Sequence, residues 1–214
     1  MQSLGIDLGA STIKVVRLQE DKIVYKKIEK HFGKILPTLK GMLEDACPDE
    51  EEWMAVGVTG SNARVLTEEE PAVYYLGDIP AVTEGVKFLV PEAGSVIEIG
   101  SQGARFITNL QEKAPDFAVN EHCAGGTGSF FEDQMSRLEM QMEEYSDVVR
   151  QARSIPRLSG RCAVFAKTDI IHRQQEGVTT PDILLGLCYA MIRNYKATIV
   201  KNLPVKKPVV FTGG

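Results

Sequence analysis

An α/β protein built from two related subdomains is what this sequence predicts, and three observations carry the prediction. A strand–turn–strand pattern occurs twice, at Leu4–Leu18 and again at Ser95–Leu110. Short apolar runs bounded by glycine, such as Met54–Gly60, alternate with stretches of helical apolar spacing. The chain then turns mainly helical beyond Asn120. Recurrence of one supersecondary order within a chain marks subdomains of common design, here expected over 1–90 and 91–214. With 214 residues, 43% of them hydrophobic and 25% charged, the chain has a globular composition and enough length to bury a core.

Each element follows from local pattern. Leu4, Ile6 and Leu8 alternate with glycine and aspartate, and Gly9-Ala10-Ser11 turns the chain into a second strand, Ile13–Leu18. Lys22–Lys30 reads as a third strand with Ile23, Tyr25 and Ile28 as its apolar positions. Leu36–Asp45 reads as a helix with Leu36, Leu39 and Leu43 on one face. Met54–Gly60 is a buried strand, and Ala63–Val90 is helical or mixed, broken by Pro71 and Pro80. Ser95–Gly100 and Ala104–Leu110 form the second hairpin. Beyond it, Phe131, Met135, Leu138 and Met142 fall on one helical face. Ser159–Gln174 is a shorter helix carrying Cys162. Ile183–Val200 is a central buried helix opened by Thr180-Pro181-Asp182. Pro208–Phe211 is a buried strand with Thr212-Gly213-Gly214 as the loop after it. A glycine pair after a strand leads into a further element, so the chain is expected to be truncated at its C-terminus.

Composition narrows the function classes. A net charge of −5 and a pI near 5.4 argue against nucleic acid as the main partner. No apolar run reaches the ~18 residues a membrane helix needs, and no secretory signal precedes the first strand. Four cysteines, Cys47, Cys123, Cys162 and Cys188, make no disulfide scaffold and show no Cys-x-x-Cys spacing for structural zinc. The cytosol is the expected compartment.

Four glycine-rich turns carry the chemistry. In Gly5–Lys14 the turn at Gly9 and Ala10 lets backbone N–H groups approach a phosphate, Ser11 and Thr12 add hydroxyls, and Asp7 can hold Mg²⁺ through water. In Ile97–Gly103, Glu98 with Gly100 and Ser101 repeats the design, and Gln102 can orient an attacking water. Gly125, Gly126, Thr127 and Gly128 precede a helix whose N-terminus favours an anion. Thr212, Gly213 and Gly214 permit close approach of adenosine. Each turn taken singly also reads as ordinary turn or capping chemistry; their order and spacing set them apart. Cys123 and Cys162 each sit inside a distinctive motif, Asn120–Gly128 and Ser159–Ala166. Since a 4Fe–4S cluster takes four thiolates, two such cysteines suggest one cluster shared across a two-fold axis. Cys188, in an apolar helix, reads as a buried inert thiol and Cys47 as an exposed one. His122 and Arg161 flank the two motif cysteines and can tune a cluster or serve the surface.

These residues together resemble a family. Gly5-Ile6-Asp7-Leu8-Gly9 with Ser11, Thr12 and Lys14, then Cys123–Gly128 with Phe130, Cys162–Ala166 and Phe211–Gly214 are similar to the activator ATPases of 2-hydroxyacyl-CoA dehydratases and the ATPase subunits of benzoyl-CoA reductases. The resemblance covers residues 1–214. It implies an actin-like, ribonuclease H-like ATPase fold with two subdomains around a nucleotide cleft. It also implies ATP/ADP and Mg²⁺ in that cleft, with Asp7, Glu98 and Gln102 catalytic. A homodimer would hold one 4Fe–4S cluster through Cys123 and Cys162 of each chain. It would pass a low-potential electron to a dehydratase or CoA-ester reductase, supplied by a small donor such as ferredoxin or flavodoxin. The second loop departs from the family: activators usually read Asp-Ile-Gly-Gly-Gln-Asp where this chain has Glu98-Ile99-Gly100-Ser101-Gln102-Gly103. A small-molecule kinase, such as an N-acetylglucosamine kinase relative, and a non-catalytic module of a larger protein are the alternatives.

Overall fold

The computed structural model describes residues 2–47, 55–68, 73–120, 127–159 and 163–213, except the side chains of Ala163 and Val164. The chain divides into two compact units, Met1–Gly85 and Val86–Gly214.

The first unit is a five-stranded sheet of order β3-β2-β1-β4-β5. Its strands are β1 (Gln2–Leu8), β2 (Thr12–Gln19), β3 (Lys22–Lys30), β4 (Ala55–Thr59) and β5 (Tyr74–Tyr75). β1, β2 and β3 pair antiparallel, and β4 joins β1 in parallel. Successive side chains on a strand face opposite sides, so Leu4, Ile6, Leu8, Ile13 and Val15 go to the core while Gly5 and Asp7 face the other way. Helix α1 (Ile35–Ala46) covers the core with Leu39, Met42 and Ala46. The expected stripe was rotated: Leu36 is 45% exposed, because Ile35, Leu39, Met42 and Ala46 form the row that meets the sheet. β3 is an edge strand on which Ile23 and Ile28 are exposed; Tyr25 alone of the three expected apolar positions packs on the core. α2 (Arg64–Thr67) follows β4. Pro80 does not break the next helix: it occupies the first turn of α3 (Asp78–Leu89), where its missing N–H costs nothing. Cys47, expected exposed, is half-buried against the core at the end of α1.

The second unit repeats the topology. β6 (Ser95–Ile99), β7 (Ala104–Thr108) and β8 (Asp116–Val119) pair antiparallel, β9 (Val209–Gly213) joins β6 in parallel, and the order is β8-β7-β6-β9. β8 had no sequence signal beyond Phe117 and Val119, too short an alternation to read. β9 runs through Thr212 and Gly213 instead of ending before them, and it is exposed on one face at Val209 and Phe211.

Among the described residues this unit also holds the helices α4 (Gly128–Arg137), α5 (Tyr145–Val149), α6 (Ala163–Gln175) and α7 (Thr180–Tyr195), with a short 3₁₀ turn at Met142–Glu144. Phe130, Phe131, Met135, Ile183, Leu184 and Leu187 make their core. The expected long face through Leu138 and Met142 stops at α4's end, where Glu139 takes φ +57° and turns the chain; Met142 is exposed. Ser159 precedes α6, its N–H donating to Asp169 Oδ2 at 2.8 Å, and Cys162 lies outside the described residues. Cys188 is half-buried beside that core. α7 passes into a π-helical turn, Lys196–Val200, which ends at Lys201 with φ +49°.

Asp182 fastens the segment before α6 to the start of α7. Its Oδ1 accepts from the Arg153 and Ser154 N–H groups, both at 2.7 Å, and its Oδ2 accepts from the Thr179 hydroxyl at 3.0 Å. The backbone N–H of Ser154, then that of Arg153, holds its carboxyl below the ordinary carboxylate pKa. A depressed folded-state pKa stabilises above the unfolded value, ~3.9, and the gain is lost as pH falls through the folded value. Asp182→Asn should therefore melt below the parent at pH 7, and the gap should narrow in melts at pH 3.

Candidate nucleotide site

In the first unit β1 and β2 meet in a turn built around Gly9. The Gly9 N–H donates to the Thr12 carbonyl at 3.1 Å, and a Cβ at Gly9 would stand 2.9 Å from that oxygen. Asp7 and Lys14 face each other across the hairpin. Lys14 Nζ donates to Asp7 Oδ2 at 3.0 Å and to Thr12 Oγ1 at 3.1 Å, with both charged side chains about a third exposed (Lys14 31%, Asp7 32%). This pair ends a cavity of about 660 Å³ on the sheet face opposite α1, floored by Gly5 and Gly57 and walled by Val16, Ile28 and Leu76. Three carbonyls behind the turn are engaged. Leu8 O accepts from the Asn62 N–H at 2.9 Å, Gly9 O from Asn62 Nδ2 at 2.8 Å, and Ser11 O from the His31 N–H at 3.1 Å. β4 closes the site with Thr59 and Gly60. The Thr59 hydroxyl and the Gly60 N–H both donate to Asp78 Oδ1 at 3.2 Å, tying β4 to the start of α3.

In the second unit the same arrangement recurs 91 residues later. Glu98 stands for Asp7, Gly100 for Gly9, Gly103 for Thr12 and Arg105 for Lys14. The Gly100 N–H donates to the Gly103 carbonyl at 2.8 Å, and Arg105 Nη1 donates to Glu98 Oε1 at 2.6 Å. This pair is more buried than its counterpart, with Glu98 12% and Arg105 22% exposed. Glu98 Oε2 is buried without a hydrogen-bond partner among the described residues. The Tyr195 hydroxyl donates to the Arg105 carbonyl at 2.5 Å, and burial, followed by the nearby Glu98 charge, pushes its pKa up. Strand β9 plays the part of β4: Thr212 pairs with Glu98 as Thr59 pairs with Asp7, and Gly213 lies against Ile99.

Of the residues singled out from sequence, Asp7, Gly9, Ala10, Ser11, Thr12 and Lys14 come together in the first unit. Glu98, Gly100, Ser101, Gly128, Thr212 and Gly213 gather in the second. Gln102 is exposed at the tip of its turn. Thr127 holds the N-cap position of α4 but makes no side-chain capping bond. The N–H groups of Gly128 and Ser129 are spent inside the fold, on the carbonyls of Gly100 and Ser101, each at 2.9 Å. Cys123, Gly125, Gly126, Cys162 and Gly214 lie outside the described residues. Among the described residues no group of three His, Cys, Asp or Glu could hold a metal ion, and no helix is long and apolar enough to cross a membrane. Sequence reasoning missed His31, Asn62, Gly60 and Arg105. Arg105 had a signal, the spacing it shares with Lys14.

A duplicated sheet with an acid–glycine–base turn in each copy defines an actin-like α/β protein. The chain belongs to the BadF/BadG/BcrA/BcrD ATPase family, which it matches over residues 4–214. It is 28% identical to the activator of lactoyl-CoA dehydratase of Anaerotignum propionicum, over 100% of this chain and 83% of that protein. Among solved structures it is similar to component A of (R)-2-hydroxyglutaryl-CoA dehydratase from Acidaminococcus fermentans. That match has a TM-score of 0.89 at 25% identity, covering 100% of this chain and 83% of the other. The activator of 2-hydroxyisocaproyl-CoA dehydratase from Clostridium difficile, solved with bound ADPNP, gives a TM-score of 0.86 at 25% identity, covering 100% and 80%.

Proposed function

We propose that this chain is an ATP-hydrolysing activator that donates a low-potential electron to a 2-hydroxyacyl-CoA dehydratase or related CoA-ester reductase. The observation that carries this reading is the repeated turn: each unit ends a strand on a carboxylate and a glycine turn beside a parallel strand closing on Thr-Gly. A turn of this kind suits a phosphate group, and the similar activator from Clostridium difficile was solved with bound ADPNP. Ala10, Ser11, Thr12 and Lys14, on the turn at Gly9, would bind phosphate; in the second unit Ser101, Gly125, Gly126 and Thr127, around Gly100, would do the same, while the Gly128 N–H is already given to the Gly100 carbonyl. Thr212, Gly213 and Gly214 would meet adenosine. Asp7, partly exposed and held by one lysine, fits a carboxylate that holds hydrated Mg²⁺. Glu98 is the corresponding acid of the second unit, and Gln102 at the exposed tip of that turn would orient the water. That water adds to the γ-phosphorus as the bond to the bridging oxygen breaks, leaving ADP and phosphate.

Cys123 and Cys162 from each of two chains would hold one 4Fe–4S cluster at a homodimer interface, supplying one-electron chemistry when bound. Ferredoxin or flavodoxin would reload the cluster in the cytosol. Anaerobic purification should give a brown protein with about four irons per dimer. Cys162→Ser should lose the iron and keep its melting temperature. A variant with full iron content refutes the ligand assignment, and a colourless parent that phosphorylates a sugar favours the kinase alternative.

A further inference from the structure

We infer that His31 and Asn62 are positioning residues that aim the first turn's backbone at phosphate, an inference resting on the nucleotide reading of that turn. In a trans peptide the C=O and N–H of one unit point in opposite directions. Whatever fixes the Gly9 carbonyl therefore fixes the Ala10 N–H, and whatever fixes the Ser11 carbonyl fixes the Thr12 N–H. His31 reaches both carbonyls, and Asn62 shares the first of them with it. Gly9 O accepts from Asn62 Nδ2 at 2.8 Å and faces His31 Nε2 at 3.3 Å, and Ser11 O accepts from the His31 N–H at 3.1 Å. The imidazole tautomer follows from its other nitrogen: His31 Nδ1 accepts from the Gly33 N–H at 3.1 Å, so Nε2 carries the proton and donates. His31 is 6% exposed, so the ring is a fixture of the turn and not a surface group.

The second unit meets the same requirement by another route. Gly100 O, the counterpart of Gly9 O, accepts from the Gly128 N–H at 2.9 Å, a backbone donor at the start of α4. Two turns of common design each have this carbonyl pinned inward, once by side chains and once by a helix end. A carbonyl left unpinned would be free to turn its negative end toward an incoming phosphate.

The test measures ADPNP and adenosine binding by calorimetry, with Mg²⁺, on the parent, His31→Ala, His31→Gln and Asn62→Ala. Losing one hydrogen bond to a carbonyl should weaken ADPNP by about five- to tenfold in His31→Ala and Asn62→Ala. Adenosine, which has no phosphate, should bind unchanged. His31→Gln should recover most of the loss, since one amide supplies both the acceptor for Gly33 and the donor for Gly9. ADPNP affinity within twofold of the parent in both alanine variants overturns the inference, as does an equal loss for adenosine. Should His31→Ala fail to fold, Asn62→Ala decides alone by the same criteria. A parent that binds neither compound defeats the nucleotide reading itself, and this inference with it; normal parent binding with unaffected variants defeats this inference only.

Discussion

Replacing Gly60 with alanine should cost roughly 3 kcal/mol and lower the melting temperature by about 10 °C. Two independent penalties add. Gly60 sits at φ +100°, where an L side chain is strained in any surroundings. A Cβ there would also stand 2.5 Å from Asp7 Oδ1 and from the carbonyl carbon and oxygen of Leu8. Asp7 is a flexible side chain and can yield, but the Leu8 carbonyl belongs to β1 and accepts the Asn62 N–H, so relief means moving the strand that presents Asp7. Gly213 in the repeat poses the same problem, with φ +123° and a Cβ that would overlap the Ile99 carbonyl. Gly41 is the control. It lies exposed in α1 with nothing within 4 Å of a Cβ, so Gly41→Ala should raise stability by about 0.5–1 kcal/mol. Thermal melts of the three variants settle the matter: Gly60→Ala or Gly213→Ala as stable as Gly41→Ala would mean the turns do not depend on close backbone contact.

The parts of this protein that sequence discloses are those set by neighbours in the chain. Both hairpins are visible because Leu4, Ile6 and Leu8, like Ser95–Ile99, alternate or run apolar up to a glycine turn, and such patterning needs only period two. Asp7 and Glu98 are visible for the same reason, each being the acid two positions before the glycine. What escapes is set by residues far apart. His31 lies 22 positions from Gly9 and Asn62 lies 53, and only the pairing of β2 with β3 and of β1 with β4 brings them to that carbonyl. Leu36 was misplaced because its helix carries two adjacent apolar rows, and the choice between them depends on which one the sheet meets. Arg105 is an intermediate case. Its spacing from Glu98 repeats that of Lys14 from Asp7, but the match acquires meaning only when the two hairpins share a register.

The second large effect is expected at that arginine. Arg105→Met should cost about 2–3 kcal/mol, whereas Lys14→Met should cost less than ~1 kcal/mol. The geometry of the pairs is alike, cross-strand and close, so burial decides the difference. Lys14 and Asp7 are about a third exposed (31% and 32%), and water can replace the lysine. Glu98 and Arg105 are 12% and 22% exposed, and Glu98 Oε2 is already without a partner among the described residues. Removing the guanidinium strands a carboxylate whose remaining oxygen has nothing to fall back on, and a largely buried charge without its partner is costly. A double-mutant cycle separates this from lost packing: Glu98→Gln with Arg105→Met should recover over half of the single-variant loss, because the stranded charge is gone. Equal losses for Lys14→Met and Arg105→Met in urea denaturation would show that burial does not distinguish the pairs. If the expected order holds, the two acids of the repeat serve different ends. Asp7 can part from its lysine cheaply, while Glu98 is bound into the frame that carries the second turn.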